Sequence, residues 1–577
     1  MCNYSIIRRE STLQNELPAD LHPLLARIYG TRNLSSANEL EYSLDKLHPH
    51  YLLKGIDQAV EVLVETLDKQ KRVLIIGDFD ADGATSTALA VQALRLFGFR
   101  HVDFLVPNRF EFGYGLTPEI VEVAIKFKPD LIITVDNGIS SIEGVKAANK
   151  QGIDVLVTDH HLPGHDLPDA VAIVNPNQKG CDFPSKYLAG VGVIFYVMLA
   201  LRTHLRSKGW FELQDTYEPN LASLLDLVAL GTVADVVPLD HNNRILVEQG
   251  MRRIRAGQCC SGIRMLAEVA GRKVNQLVAA DLGFVIGPRL NAAGRLDDMR
   301  LGIECLITQD ATTARVMACE LDELNKARRN IENQMKTDAL QSLSAMKLSD
   351  KDENLPVGLC LYDPEWHQGV IGILASRIKD KLHRPVIAFA DGDGEYIKGS
   401  ARSISGVHIR DVLDAIATRH PGLICKFGGH AAAAGLTMKL CDLDAFVSAF
   451  DKEVQRYVSQ DELKGVVVTD GELAVQELNL DVAELLRNSG PWGQGFPEPV
   501  FDGVFEVVNQ RIVGEKHLKL YLRHPSAKRG IDAIAFNYDA SKWPENTSRV
   551  EVAYRLDVNE FRGERSPQMI VEHVWPV

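Results

Sequence analysis

Three aspartates alternate over five positions in the stretch GDFDADGATS, as Asp78, Asp80 and Asp82. Further along the chain, Asp136 stands in VDNG, Asp159, His160 and His161 in TDHH, and Asp235 in GTVADVVPL. Carboxylate oxygens with a minority of imidazole nitrogens form a hard donor set. Such a set suits Mn2+ or Mg2+ better than the sulfur-rich sites that zinc favours. Several carboxylates gathered in one crevice repel one another, and divalent cations relieve that repulsion. Two close cations sharing a carboxylate are suited to phosphoryl chemistry, because they lower the pKa of water and stabilise the attacking and leaving oxygens of an in-line displacement.

Other uses of these residues compete with that one. A calcium loop starting at Asp78 needs a bidentate Glu at its twelfth position, which is Leu89, and a helix before it, where RVLIIG reads as a strand. Asp82 alone could cap the helix that follows, with Asp78 and Asp80 solvated. Asp235 could be a buried or capping acid. Its apolar surroundings demand a partner for the charge, and a metal is one of the few that would satisfy it.

The elements that must position these groups follow from periodicity. KRVLIIG, HVDFLVP, DLIITVD and IDVLVTD are apolar, β-rich runs, and they alternate with the helical patterns ATSTALAVQALRLFG, TPEIVEVAIKF and SIEGVKAANKQG. Alternating strands and helices predict a doubly wound parallel sheet. Ligands of such sheets sit beyond the carboxyl ends of the strands, which is where the acidic and imidazole residues fall. Residues 188–345 read mostly as helix and end in a long amphipathic stretch. After the polar break LSDKDENLP a second, smaller α/β pattern begins, and from about residue 466 short β-like runs have the rhythm of a small barrel.

Composition bounds the class. With 577 residues, several domains are expected. The 63 basic and 77 acidic residues, net −14, argue against coating nucleic acid through bulk positive charge, although MRRIRAG, GPRL, AGRL and KARRN could line a locally basic channel. No apolar run reaches membrane-span length, and no signal-peptide core is seen at the start. Nine cysteines without a C-x-x-C suit a reducing cytoplasm and not a structural zinc site.

In order and spacing, DFDADG, VDNG, TDHH and GTVADVVPL resemble the four signature motifs of the DHH phosphoesterase superfamily. VPNRFEFGYGL, GPRLNAAGR, YDPEWHQGVIGILASRI, SARS and KFGGHAAAAG narrow the resemblance to the RecJ family of single-strand-specific exonucleases, over nearly the whole chain. The resemblance implies an N-terminal segment (1–48), a parallel-sheet DHH catalytic domain (49–309), a connecting helix (310–348), a smaller α/β DHHA1 domain (349–458) and an OB-fold β-barrel (466–577). It implies 5′-to-3′ hydrolysis of single-stranded DNA to mononucleotides in repair and recombination, with two ions of Mn2+ or Mg2+. The implied partners are a single-stranded-DNA-binding protein and a DNA helicase, for a monomeric cytoplasmic enzyme.

Carried over by residue, the resemblance gives Asp78, Asp80 and Asp136 to one ion and Asp82, His160 and Asp235 to a second, with Asp136 bridging. Asp136, His160 and His161 would be catalytic, His161 facing the scissile phosphate, and Asp159 would orient a neighbour. In the second domain, Gly428, Gly429 and His430 offer a phosphate cradle, or a tight turn; Ser400, Arg402 and Ser403 offer a phosphate clamp, or a surface turn. Arg289, Asn291 and Arg295 would line a groove for the DNA backbone, or serve as structural caps. Arg109 and Tyr114 suggest a phosphate contact and a stacking face, or a core tyrosine. Ala401 replaces the glycine expected in SGRS, which puts the clamp geometry in question, and Phe112 stands where an acid is expected. A pyrophosphatase or small-oligonucleotide phosphodiesterase of the same superfamily, and a non-catalytic DNA-binding scaffold, are the competing readings.

Overall fold

The structure is a computed structural model that describes residues 5–10, 17–107, 115–345, 356–458, 463, 465–514, 517–538, 543 and 547–577. Arg109, Phe112 and Tyr114 lie outside the described residues. The chain divides into two compact units, one comprising Arg9–Asn325 and Thr469–Val577, the other Lys326–Val468 with the strand Ser5–Arg8.

The first unit carries a five-stranded parallel sheet in the order Val102–Leu105, Val73–Gly77, Leu131–Val135, Asp154–Thr158, Ala172–Val174. Val73–Gly77 and Leu131–Val135 are buried along their whole length, as strands covered on both faces must be, which is why they read as continuous apolar runs. The chain leaves Val73–Gly77 for its neighbour on one side and returns on the other at Leu131–Val135. The point where strand order reverses therefore lies between the ends that carry Asp78 and Asp136. That is where open α/β sheets place their ligands.

The helices Ala81–Leu96 and Gly190–Ser207 pack on the sheet, and Leu225–Ala234 packs against both; it is apolar apart from Asp226 because residues 225–232 are all buried. The carboxy-terminal strands Phe501–Val513, His517–Arg523, Ile531–Ala535, Arg549–Phe561 and Glu564–Pro576 close into the expected barrel. The barrel shares one apolar core with the parallel-sheet domain, Leu518, Leu520 and Val552 belonging to the same cluster as Leu89 and Leu225. The N-terminal segment ties the two together. Arg32, whose side chain is 1% exposed, pairs with Asp470, whose side chain is 0% exposed, and the Tyr29 hydroxyl donates to Ser489 O at 2.7 Å.

The second unit is a mixed sheet in the order Lys426–Gly429, Ala433–Lys439, Tyr396–Arg402, Val386–Asp391, Leu359–Tyr362, packed with the helices Ile371–Leu382, Ile409–Arg419 and Leu443–Val454. The long helix runs Ala311–Ala345, and the division between the units falls within it. No described helix is long and apolar enough to cross a membrane.

Candidate metal centre

Asp80, not Asp82, is the N-cap of Ala81–Leu96: its Oδ1 accepts from the Asp82 and Gly83 amides at 2.9 and 3.0 Å. Asp82 falls one residue inside the helix, 1% exposed, where both its oxygens accept backbone amides from the first turn of Gly190–Ser207, Gly190 at 2.6 Å and Val191 at 3.0 Å. Those are amides with no partner inside their own helix, so they stabilise the carboxylate while fixing its direction.

Asp136 follows its strand in the left-handed region, at φ 61°, and is 2% exposed. A β-carbon on Gly190 would lie 2.6 Å from Asp136 Cβ and 2.8 Å from its Oδ1, so only glycine permits this approach. His160 Nε2 is 3.1 Å from Asp136 Oδ1 and 3.5 Å from Asp235 Oδ2, and Asp235 caps the carboxyl end of the buried Leu225–Ala234 helix.

Asp159 does not join the cluster as a ligand. It accepts the Ile139, His160 and His161 amides at 2.9, 2.7 and 3.1 Å, and its Oδ1 pairs with His161 Nδ1 at 2.8 Å. With Nδ1 so held, His161 presents Nε2 to the site. Two residues that sequence reasoning missed hold the same loop: Asn177 donates to His160 O at 2.6 Å and Asn175 to His161 O at 2.9 Å. The motif NPN after the Ala172–Val174 strand was the available signal.

Three groups of ligand atoms result, each with members within 4.8 Å of one another: Asp78, Asp80 and Asp136; Asp82, His160 and Asp235; and Asp136, His160 and His161. Asp136 belongs to two of them. The electrostatics agree with a cation centre. Burial, then the neighbouring Asp80, pushes the Asp82 carboxyl up to about 7. Burial and the surrounding carboxylates hold Asp136 and Asp235 well above the ordinary range. Burial works against charge on Asp159 and His161 too, but their mutual hydrogen bond prevails, lowering the acid and raising the imidazole. The donor types and their crowding fit two hard divalent cations.

In the second unit, Arg402 Nη1 donates to Ser400 Oγ at 3.1 Å and to Ala401 O at 2.7 Å. Both side chains stand against the start of Ile371–Leu382, where a β-carbon on Gly372 would come within 2.7 Å of Arg402 Nη2 and 2.9 Å of Ser400 Oγ. Ser403 is buried and donates to Val407 O at 2.7 Å. Gly429, at φ 145°, and exposed His430 turn a hairpin between Lys426–Gly429 and Ala433–Lys439; Gly428 faces open space. The Ala401 methyl is 0% exposed and packs in the core on the face opposite Ser400 and Arg402, so the departure from glycine leaves the clamp face unchanged.

Arg289 and Asn291 make the contacts of the structural alternative to a groove. Arg289 is 8% exposed, its guanidinium donating to Asp322 Oδ1 at 2.9 Å and to Val285 O at 2.6 Å. Asn291 Oδ1 accepts the Ala81 amide at 2.8 Å. Arg289 faces inward, and half-buried Asn291 satisfies an amide at a helix start. Arg295 is half-buried on the same helix.

Comparison with known proteins agrees with this geometry. Residues 72–232 match the model of the DHH family N-terminal domain, 356–456 that of the DHHA1 domain and 469–573 that of the RecJ OB domain. The chain is 56% identical to the single-stranded-DNA-specific exonuclease RecJ of Dickeya dadantii (strain 3937), over 99% of each chain. The chain belongs to the RecJ family. The RecJ of Escherichia coli (strain K12) is 54% identical over 99% of each chain. Among solved structures, RecJ of Thermus thermophilus in complex with Mn2+ superposes with a TM-score of 0.78 at 30% identity, covering 99% of this chain and 79% of that one. The Mg2+ complex of the same protein gives 0.72 at 27% identity, over 99% and 78%. A parallel-sheet DHH domain, a DHHA1 domain and an OB barrel thus occur in one chain.

Proposed function

We propose that this chain is a metal-dependent exonuclease that hydrolyses single-stranded DNA from its 5′ end to mononucleotides, in DNA repair and recombination. The observation that carries the reading is the pair of ligand groups, Asp78, Asp80, Asp136 and Asp82, His160, Asp235, brought to the switch point of the sheet around one buried aspartate. Asp136 would be held in common by two ions of Mn2+ or Mg2+. When bound, such ions supply Lewis acidity to a phosphodiester and lower the pKa of water.

The protein's own part is to hold its ligands and orient the phosphate. The Gly190 and Val191 amides hold Asp82, and its cap bonds hold Asp80, before any cation arrives, so these two ligands need little reorganisation on binding. Asp159 keeps His161 protonated on Nδ1 and its Nε2 turned to the site, where it would donate to a scissile phosphate oxygen or to the leaving oxygen. Ser400, Arg402 and His430, with the Gly428–Gly429 turn, would bind a phosphate of the strand through charge-assisted hydrogen bonds. Arg295 would meet the DNA backbone, and Arg109 and Tyr114 would contact phosphate and base. The free cysteines among the described residues fit a reducing cytoplasm. A monomer that works with a single-stranded-DNA-binding protein and a helicase completes the proposal.

Asp136→Ala should abolish Mn2+-dependent digestion of an end-labelled, 5′-phosphorylated single strand. A near-native rate refutes the shared-ligand assignment. Faster turnover of a dinucleotide than of a long strand would move the reading to a small-oligonucleotide phosphodiesterase.

A further inference from the structure

The helix Gly287–Leu296 carries none of the candidate ligands, yet it touches both segments that do. Asn291 Oδ1 accepts the amide of Ala81, the residue between Asp80 and Asp82, at 2.8 Å. One turn on, a β-carbon on Gly294 would overlap the carbonyl oxygen of Phe79, the residue between Asp78 and Asp80. The helix backbone therefore lies directly against the ligand turn. At its other end, a β-carbon on Gly287 would sit 3.2 Å from Ala234 Cβ, next to Asp235.

The helix is itself fixed from behind. Arg289 pairs with Asp322 of the long helix, Nη2 to Oδ1 at 2.8 Å, with both side chains about nine-tenths buried. Just before it, Leu282–Ile286 form a π-helical turn, which adds a residue to the helical register and rotates everything that follows. Within the helix that follows, the spacing of 3.6 residues per turn sets Arg289 roughly opposite Asn291, while Gly294, three residues on, shares the face of Asn291.

The Ala81 amide is one of the first-turn donors that a helix leaves without an internal partner. Asp80 Oδ1 already takes the amides of Asp82 and Gly83. Without Asn291, the Ala81 amide would compete for the same carboxylate and draw it into the cap.

We propose that Asn291 is a positioning residue for cation binding, acting through the Ala81 amide to hold the turn that bears Asp78, Asp80 and Asp82. The inference rests on the two-cation reading of the site. It sets Asn291 inside the protein's own scaffold and not against the DNA backbone.

The test uses the full chain with Asn291→Ala and Asn291→Asp, the second of which keeps an acceptor oxygen at the same reach. Mn2+ affinity is measured by calorimetric titration, and affinity for a 5′-phosphorylated single strand by fluorescence anisotropy in EDTA. Asn291→Ala should weaken Mn2+ about tenfold, Asn291→Asp should stay within about threefold of wild type, and metal-free DNA affinity should not change in either. Wild-type Mn2+ affinity in Asn291→Ala overturns the inference. So does a loss of DNA affinity in EDTA with Mn2+ binding intact, which is the signature of a groove residue. If wild type itself binds no Mn2+, the two-cation reading falls and the inference with it. Should Asn291→Ala not fold, Asn291→Gln, whose extra methylene displaces the acceptor, takes its place. Asn291→Gln is then expected to bind Mn2+ more weakly than Asn291→Asp, and equal affinities overturn the proposal.

Discussion

Cation affinity should rise steeply with pH, and the structure gives the size of the effect. Asp82 is raised to about 7 by burial and by Asp80, against the opposing pull of the Val191 and Gly190 amides and of His161. A cation must displace its proton. A carboxyl titrating at about 7 is about one-tenth ionised at about pH 6 and about nine-tenths ionised at about pH 8, which makes binding about tenfold tighter across that interval. Burial and the neighbouring carboxylates raise Asp136 and Asp235 as well, so any proton they release on binding adds to the dependence in the same direction. The released protons belong to the cluster as a whole, not to one residue. The consequence for stability has the opposite sign. A carboxyl raised on folding contributes fully below its unfolded value, and that contribution is lost as pH climbs through about 7. Metal-free protein should therefore lose stability toward alkaline pH, and Mn2+ should restore more of it at about pH 8 than at about pH 6. Calorimetric titration in two buffers of different ionisation enthalpy measures both the affinity and the protons released. A dissociation constant that is flat across this interval, with no proton release, would refute the argument.

Other perturbations follow from single contacts. Gly190→Ala should cut Mn2+ affinity and strand digestion about a hundredfold while the protein still folds, because the new methyl enters the space of the Asp136 side chain; a titration indistinguishable from wild type would contradict this. Arg32→Ala should destabilise the unit that holds the barrel by about 3–5 kcal/mol, since Asp470 would keep a buried charge without its main partner, and urea unfolding measures it. For the same reason, removing residues 466–577 would strip a shared core and not a detachable module, so substitutions on the barrel surface are the better probe of its part in strand binding.

Much of the centre was legible because it is local. An apolar strand ending in an acid is a pattern of adjacent residues, and it marked Asp78, Asp136 and the TDHH loop at three strand ends. Asp235 was legible as a charge ending an apolar helix. Local pattern offered Asp82 as the alternative cap and could not point to Asp80, because the two are chemically alike and only the backbone direction at residue 80 decides which one turns toward the free amides. Between a structural cap and a groove, local pattern could not choose for Arg289 and Asn291, because their partners Asp322 and Ala81 lie 33 and 210 residues away.

By itself, the sequence determined the order of strands and helices, the hard donor set and the family to which they point, since periodicity and residue chemistry act over a few neighbours. The tertiary structure decided which face each group takes. It turned the Ala401 methyl into the core, joined the barrel to the catalytic unit and pressed Gly190 and Gly294 onto the backbone of the ligand turns. These choices depend on van der Waals contact between segments far apart in the chain, and such contact exists only once the segments are packed.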